Sequence, residues 1–433
     1  MCLLIILMNI LLIGNGFDLA HGLPTQYKNF LDFCIKAKVI FTIIDGRGSN
    51  LYYDEYLRDW NINSKIKESL MEAYKSRKKD IIFFDDGTRR DNFITQNDAL
   101  NQLYPLINEN VWIEYFRVCS SYIGENWIDF ETEISRVIKT IDAVRNYTVQ
   151  HKDIMELPRD MQGILMEIIK KAKGNLKDIC GSIEQIDRFT GRLYKDLKSL
   201  VRALEIYITE FVEKINNDIV IPEINELKID HVLSFNYTNT FEKKYGIGKS
   251  IEYNFIHGEA KESNTIESNN MVLGIDEYLP KDRKDKETYF IGFKKYYQRI
   301  LKSTGCDYVD WIDSIKEAYE EACYKAAGCS GKMVNNSRKA RPTDFHCSSN
   351  LYIFGHSLDI TDGDILRALI CNDNVNTKIF YYRESEDDKK ALEKLISNLV
   401  KVIGQDELIK RTGGEFKTIE FIPQSLQDNI KTK

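Results

Sequence analysis

The 433-residue sequence has little proline, few histidines and no excess of basic charge. Its 7 prolines, among many Lys, Glu and Ile residues, leave little disordered linker and favour long helices. The net charge of -6 gives no signal of a chain-wide electrostatic attraction to nucleic acid or to anionic membrane. The 9 cysteines include no Cys-x-x-Cys pair, which is typical of reduced thiols, and we expect a cytoplasmic protein.

An apolar stretch opens the sequence at residues 1–14, but it is too short to cross a membrane. No basic segment precedes it, Asn9 interrupts it, and Asn-Gly-Phe-Asp follows where a small-residue cleavage site would stand. We therefore predict a buried strand here and expect no membrane partner.

Short apolar runs rich in β-branched and aromatic residues predict strands in three separated regions. Helical patterns fill the intervals, so we predict an α/β fold with a Rossmann-like, largely parallel sheet that is buried on both faces. The predicted strands are residues 5–13, 231–237, 251–258, 271–275, 351–357, 377–383 and 418–423.

The length exceeds that of a usual single domain, and long helical patterns separate the strand regions. We predict a nucleotide-binding core interrupted by a large and a smaller helical insertion. The core comprises residues 1–50, 225–280 and 347–433, and the insertions are residues 51–224 and 281–346.

Two glycines, Gly14 and Gly16, flank a single asparagine directly after the first predicted strand. A strand that ends in Gly-x-Gly before a helix lets backbone N–H groups approach a phosphate, and the helix N-terminus adds partial positive charge. A tight turn without a ligand explains the same glycines. The standard dinucleotide fingerprint is incomplete, because Leu19 stands where a third glycine is expected and Asp45, the last residue of an apolar run at 39–45 that could form a second strand, lies beyond the usual spacing.

Four segments, taken in order, resemble the nucleotide-binding motifs of sirtuin-like domains. They are GNGFDLAHGLPTQY at 14–27, FNYTNTFE at 235–242, FIHGE at 255–259 and IFGHSLDITDGDILRAL at 353–369. The arrangement as a whole is similar to the bacterial abortive-infection AbiH family. This resemblance implies a sirtuin-like core that binds NAD⁺ and an antiphage effector triggered by a phage or host protein. Such an effector must be silent before infection, so we also expect a partner or a homo-oligomer.

The resemblance implies hydrolysis of NAD⁺ to nicotinamide and ADP-ribose, with His257 as catalytic base and Asn236 positioning the ribose or the attacking water. An imidazole that titrates near neutrality can accept a proton, and a carboxamide can hold water without adding charge. The structural alternatives are a buried histidine at a strand end and an asparagine that caps a turn or helix. The residues implied in binding the nucleotide are Gly14, Asn15, Gly16, Phe17, Asp18, His21, Pro24, Tyr237, Gly355, His356 and Ser357.

Two other functions stay open on the sequence alone. One is a sensor that binds a nucleotide without turnover, and the other is a metal-dependent nuclease or phosphatase built on carboxylates. The carboxylates are Asp18, Asp129, Glu131 and Glu133. For the last three, the acidic first turn of a helix is the simpler interpretation. Four further side chains could be zinc ligands, namely Cys323, Cys329, His346 and Cys347. Their spacing is irregular for a zinc site, so we predict no metal.

Overall fold

The structure is a computed structural model. Some segments lie outside its description, among them Asp45 and the His346–Cys347 pair of the zinc hypothesis, and so do the side chains of Cys323 and Cys329. The described residues are 8–42, 53–83, 89–122, 129–329, 349–414 and 417–425.

The described residues form eight strands and seventeen α-helices. The strands are β1 (Asn9–Ile13), β2 (Lys78–Phe83), β3 (Arg89–Ile94), β4 (His231–Ser234), β5 (Glu252–Phe255), β6 (Ser349–Phe354), β7 (Val375–Tyr381) and β8 (Ile419–Pro423). The helices are α1 (Asn15–Ala20), α2 (Tyr27–Phe41), α3 (Tyr53–Arg58), α4 (Ser64–Ser76), α5 (Asp98–Ile107), α6 (Val111–Tyr122), α7 (Phe130–Val149), α8 (Arg159–Lys171), α9 (Leu176–Cys180), α10 (Ile183–Tyr207), α11 (Pro222–Asn225), α12 (Lys281–Lys284), α13 (Lys295–Lys302), α14 (Tyr308–Cys329), α15 (Gly363–Ile370), α16 (Lys390–Ile403) and α17 (Gln405–Thr412).

Six strands form one parallel sheet in the order β5-β4-β1-β6-β7-β8. Ile10 of β1 lies between His231 of β4 and Leu351 of β6, so β1 is a central strand. The prediction of an α/β protein with a parallel sheet is confirmed. The antiparallel pair β2–β3 was not predicted, and the run at 39–45 begins in α2 rather than in a strand.

Both faces of the sheet are covered, which explains the uninterrupted apolar run of β1. Successive side chains of a strand point to opposite faces. Ile10 and Leu12 therefore enter one core with residues of α15 and α16, whereas Leu11 and Ile13 enter another with Phe17. A one-residue shift in register would exchange the two sets.

The chain divides into two compact units. Unit 1 contains the parallel sheet, and unit 2 contains most of the long helices, including α10. The domain boundaries predicted above stay a prediction. Unit 1 comprises Met1–Gly22, Asn217–Gly258 and Ser303–Lys433, and unit 2 comprises Leu23–Asn216 and Glu259–Lys302.

The strand predicted at residues 271–275 is wrong. These residues are buried in unit 2, but their only ladder contact among the described residues is an isolated bridge from Ile275 to Lys294. The Gln298 side chain takes the place of a neighbouring strand: its oxygen accepts from Leu273 N–H at 3.1 Å and its nitrogen donates to Leu273 C=O at 3.0 Å. A side chain can satisfy buried backbone groups in this way, so a short apolar run alone does not identify a strand.

We predict that Gln298→Met destabilises the protein by about 3 kcal/mol, because three hydrogen bonds to backbone groups, two of them buried, are lost with little change in volume. The third of these runs from the Gln298 side-chain nitrogen to Gly292 C=O at 3.0 Å. Urea unfolding measures the effect, with the exposed Gln150→Met as the matched control. Equal unfolding midpoints for the two variants would contradict the assignment.

Candidate functional site

The four motif segments meet at the carboxyl edge of the parallel sheet. Gly14 follows β1, Asn236 closely follows β4, His257 closely follows β5, and Gly355 follows β6. These four strands are neighbours in the sheet, and their carboxyl ends lie on the same edge. The chain also switches from one side of β1 to the other between β5 and β6. Open parallel sheets bind ligands at such a switch point.

The glycines after β1 let two backbone segments touch. A Cβ atom on Gly16 would lie 2.7 Å from Gly355 Cα, and a Cβ atom on Gly355 would lie 2.2 Å from the nitrogen of Phe17. Gly14 N–H donates to Phe354 C=O at 3.1 Å, and Gly16 N–H donates to Gly355 C=O at 2.8 Å. Phe17 N–H donates to Gly14 C=O at 2.8 Å. The fold therefore uses the glycines for packing and already engages three N–H groups of the turn.

Side chains after β4 fasten that segment to the same turn. The Asn236 side-chain nitrogen donates to Gly14 C=O at 3.0 Å, which holds the carboxamide in one orientation. The Thr238 hydroxyl donates to a carboxylate oxygen of Asp18 at 2.7 Å and accepts from the Thr240 hydroxyl at 3.1 Å. Asp18, Asn236 and both threonines are buried. The buried carboxylate at position 18 is thus supported by hydroxyl groups rather than exposed to a ligand.

A cluster of two histidines and one carboxylate lies at this edge. His257 Nε2 is 3.7 Å from one oxygen of Asp362, and His356 Nε2 is 3.4 Å from the other. The ring of Phe235 stands edge-on to both imidazoles, with centroids 5.6 Å from His257 and 4.4 Å from His356. All three polar residues are at most 8% exposed. The arrangement can hold a proton in a buried, charge-stabilised environment.

Both histidines belong to the segments singled out in the sequence, but a role for Asp362 was not predicted. This residue precedes α15, and an acidic residue there reads as a helix N-cap. In the structure its side chain makes no cap hydrogen bond to α15. The signal available in the sequence was its position within the segment GHSLDITD, six residues after His356.

His21 and Phe17 serve the interior of unit 1. His21 Nδ1–H donates to Phe17 C=O at 2.7 Å, and Nε2 accepts from the Tyr245 hydroxyl at 2.8 Å. Both rings are fully buried, and Phe17 also packs edge-on against Phe354. Burial, which outweighs the hydrogen bond to Phe17, lowers the pKa of His21 from 6.5 to about 4, with a smaller contribution from Lys244.

The remaining predicted binding residues have varied surroundings. Asn15 and Ser357 are exposed, directly after β1 and close after β6. Tyr237 is partly buried, with its ring centroid 6.4 Å from that of His257. Pro24 belongs to unit 2, where its carbonyl accepts from the Tyr207 hydroxyl at 2.8 Å.

Apart from Asp18, the carboxylates of the metal hypothesis are engaged in helix capping and ion pairs. Asp129 caps α7 by accepting from Glu131 N–H at 3.0 Å. Glu131 pairs with Lys295 at 2.6 Å, and Glu133 pairs with Arg136 at 2.9 Å. No group of three or more His, Cys, Asp or Glu side chains is arranged to hold a metal ion in the described part of the chain.

A family model for bacteriophage abortive infection AbiH matches residues 10–382. The chain belongs to the AbiH family. The matched range includes the glycine turn, Asn236 and the cluster of His257, His356 and Asp362. Neither the curated proteins nor the solved structures gave a match to this AbiH chain. Among the described residues, no helix combines the length and apolar character that crossing a membrane requires.

We predict that Gly355→Ala destabilises the protein by at least about 3 kcal/mol, because backbone strain and a backbone clash act together. Gly248→Ala is the control, since Gly248 has a similar φ of +74° but open space around it, whereas Gly355 has a φ of +71°. The control isolates backbone strain, at about 1–2 kcal/mol. Thermal unfolding compares the two, and equal losses would contradict the close-contact interpretation.

We also predict an acid-labile contribution from His21. The pKa of His21 is about 4 in the folded protein and about 6.5 in the unfolded chain, so between these values the unfolded chain binds a proton and the folded chain does not. Stability therefore falls as the pH decreases through this window, by about 2–3 kcal/mol at pH 4.5. Urea unfolding at pH 7 and pH 4.5 should show a smaller pH-dependent loss for His21→Gln than for the unchanged protein. The same loss in both would show that His21 is not responsible.

Proposed function

We propose that this AbiH protein is an antiphage effector that hydrolyses NAD⁺ to nicotinamide and ADP-ribose at the carboxyl edge of its sheet. One observation carries the proposal: segments far apart in the sequence bring His257, Asn236 and the glycine turn together at four neighbouring strand ends. We further propose a phage or host protein as the trigger, and a partner or a homo-oligomer that keeps the enzyme silent.

The strand order supports a nucleotide as the ligand. When the six strands of the parallel sheet are numbered in chain order, they lie in the order 3-2-1-4-5-6. Doubly wound sheets that bind dinucleotides have this order, and their ligand lies at the switch point beside the first strand. The Rossmann-like, sirtuin-like character of the core is part of the proposal.

The cluster of His257, His356 and Asp362 supplies the acid–base chemistry that the reaction needs. The oxygen of a water molecule forms a bond to ribose C1′ while the bond between C1′ and the nicotinamide nitrogen breaks. The electron pair of the broken bond leaves with nicotinamide. His257 accepts the proton that the water gives up and later releases it to solvent. Asn236, oriented by its bond to Gly14, offers a neutral polar group beside the reacting atoms.

Three N–H groups of the glycine turn are already used within the fold, so other groups must bind the pyrophosphate of NAD⁺. Gly14, Gly16 and Phe17 donate these N–H groups within the fold. Asn15 and Ser357, exposed after β1 and β6, are the polar side chains that we propose for this contact. The fit to NAD⁺ is therefore through side chains at the phosphate end and through His257 at the nicotinamide end.

We predict that purified protein, or protein in phage-infected lysate, releases nicotinamide from NAD⁺ and that His257→Ala lowers the rate at least 100-fold. This factor is the usual contribution of a general base, about 10²–10⁴. Chromatography of the products measures it. The exposed His151→Ala variant is the control and should retain the full rate.

Two results would overturn this assignment. Equal rates for His257→Ala and His151→Ala would remove His257 from the reaction. Absence of nicotinamide in both settings, with stoichiometric NAD⁺ binding by calorimetry, would replace the hydrolase with the nucleotide sensor considered above.

A further inference from the structure

We infer that Asp362 and His356 are positioning residues that fix which imidazole nitrogen of His257 faces the substrate. In this arrangement, called the relay below, one oxygen of Asp362 lies 3.4 Å from His356 Nε2 and the other lies 3.7 Å from His257 Nε2. The inference rests on the proposed function for its chemical purpose, but it makes a claim about proton placement that stands apart from turnover.

The relay begins at Leu358. Its backbone N–H donates to His356 Nδ1 at 3.0 Å, so Nδ1 carries the lone pair and the neutral ring carries its hydrogen on Nε2. Leu358 adopts a left-handed backbone with φ of 56°, although its side chain is fully buried. This conformation is unfavourable for a residue with a Cβ atom and is retained where the surrounding structure requires it. Here it aims an N–H group at His356.

Asp362 is the centre of the relay. Its oxygens are divided between the two rings, at 3.4 Å from His356 Nε2 and 3.7 Å from His257 Nε2. The neighbouring Asp359 behaves differently, because its carboxylate accepts from Thr361 N–H at 3.1 Å and caps the short turn Ile360–Asp362. Two aspartates of one loop therefore have separate tasks, one capping the backbone and one facing the histidines.

The consequence for His257 is a defined proton position. A carboxylate that faces Nε2 favours the hydrogen on Nε2, which makes Nδ1 the nitrogen that accepts a proton from water. The same carboxylate stabilises the imidazolium that forms. The titratable groups around this ring include Asp362, His356 across the shared carboxylate and the Tyr237 phenol. Phe235 packs edge-on against both imidazoles.

The test uses ¹⁵N-histidine labelling of the full chain, with the 6 histidines assigned by single substitutions. We expect His356 Nδ1 to resonate as an unprotonated nitrogen bonded to a donor. We expect Asp362→Asn to lower the pKa of His257, because an adjacent carboxylate is lost. Asp359→Asn is the matched control and should leave the pKa of His257 unchanged. Asp362→Glu, which keeps the carboxylate, should bring the pKa of His257 most of the way back to that of the unchanged protein.

Identical His257 titrations in Asp362→Asn and Asp359→Asn would overturn the inference, as would a protonated His356 Nδ1 in the unchanged protein. These readouts need no NAD⁺ turnover. An inactive enzyme would therefore overturn the proposed function, while the NMR spectra would still decide whether Asp362 and His356 position His257. In active protein, Asp362→Asn should lower kcat about 10-fold or more with little change in KM and move the acid limb of the pH profile to lower pH. An unchanged kcat and pH profile in that variant would also count against the relay.

Discussion

The backbone contact between the turn after β1 and the turn after β6 is the constraint on which the rest of the site depends. Gly16 and Gly355 approach so closely that neither position has room for a Cβ atom. This contact joins the carboxyl ends of two central strands, and His356 follows it directly in the chain. A shift of the turn would therefore move the histidine, and with it the carboxylate of Asp362, away from His257.

The remaining strand ends are fastened to the same turn by side chains. Asn236 donates to Gly14 C=O, and Thr238 donates to the buried Asp18. Because these bonds start from residues just after β4, they fix a segment that the parallel sheet alone would leave as a loop. The edge is therefore built from backbone contacts on one side of β1 and from side-chain hydrogen bonds on the other. Such a preorganised edge suits a site that must hold an imidazole and a carboxylate in one geometry.

The sequence predicts the central strands β1 and β4 well because most of their residues are buried. Continuous apolar runs such as β1 carry that information locally, whereas Asn236 and His257 were named through the resemblance of their segments to sirtuin-like motifs. The role of Asp362 was not predictable in this way, because an acidic residue before a helix has the same local pattern whether it caps the helix or faces two histidines. The run at 271–275 failed for a related reason, since Leu273 is paired by the side chain of Gln298, 25 residues away, and only Ile275 forms a bridge to another backbone segment among the described residues.

The motif around the glycine turn shows why a shared pattern can have two physical causes. Gly-x-Gly after a strand permits close approach of any group to the backbone, whether that group is a phosphate or another chain segment. In this AbiH protein Gly355 makes that approach, and His21 and Phe17 from the same motif fill the interior. Under the proposed function, recognition of the nucleotide then depends on side chains around the turn. Because side chains vary more freely than a backbone contact between glycines, proteins with the same turn can differ in the ligand they bind.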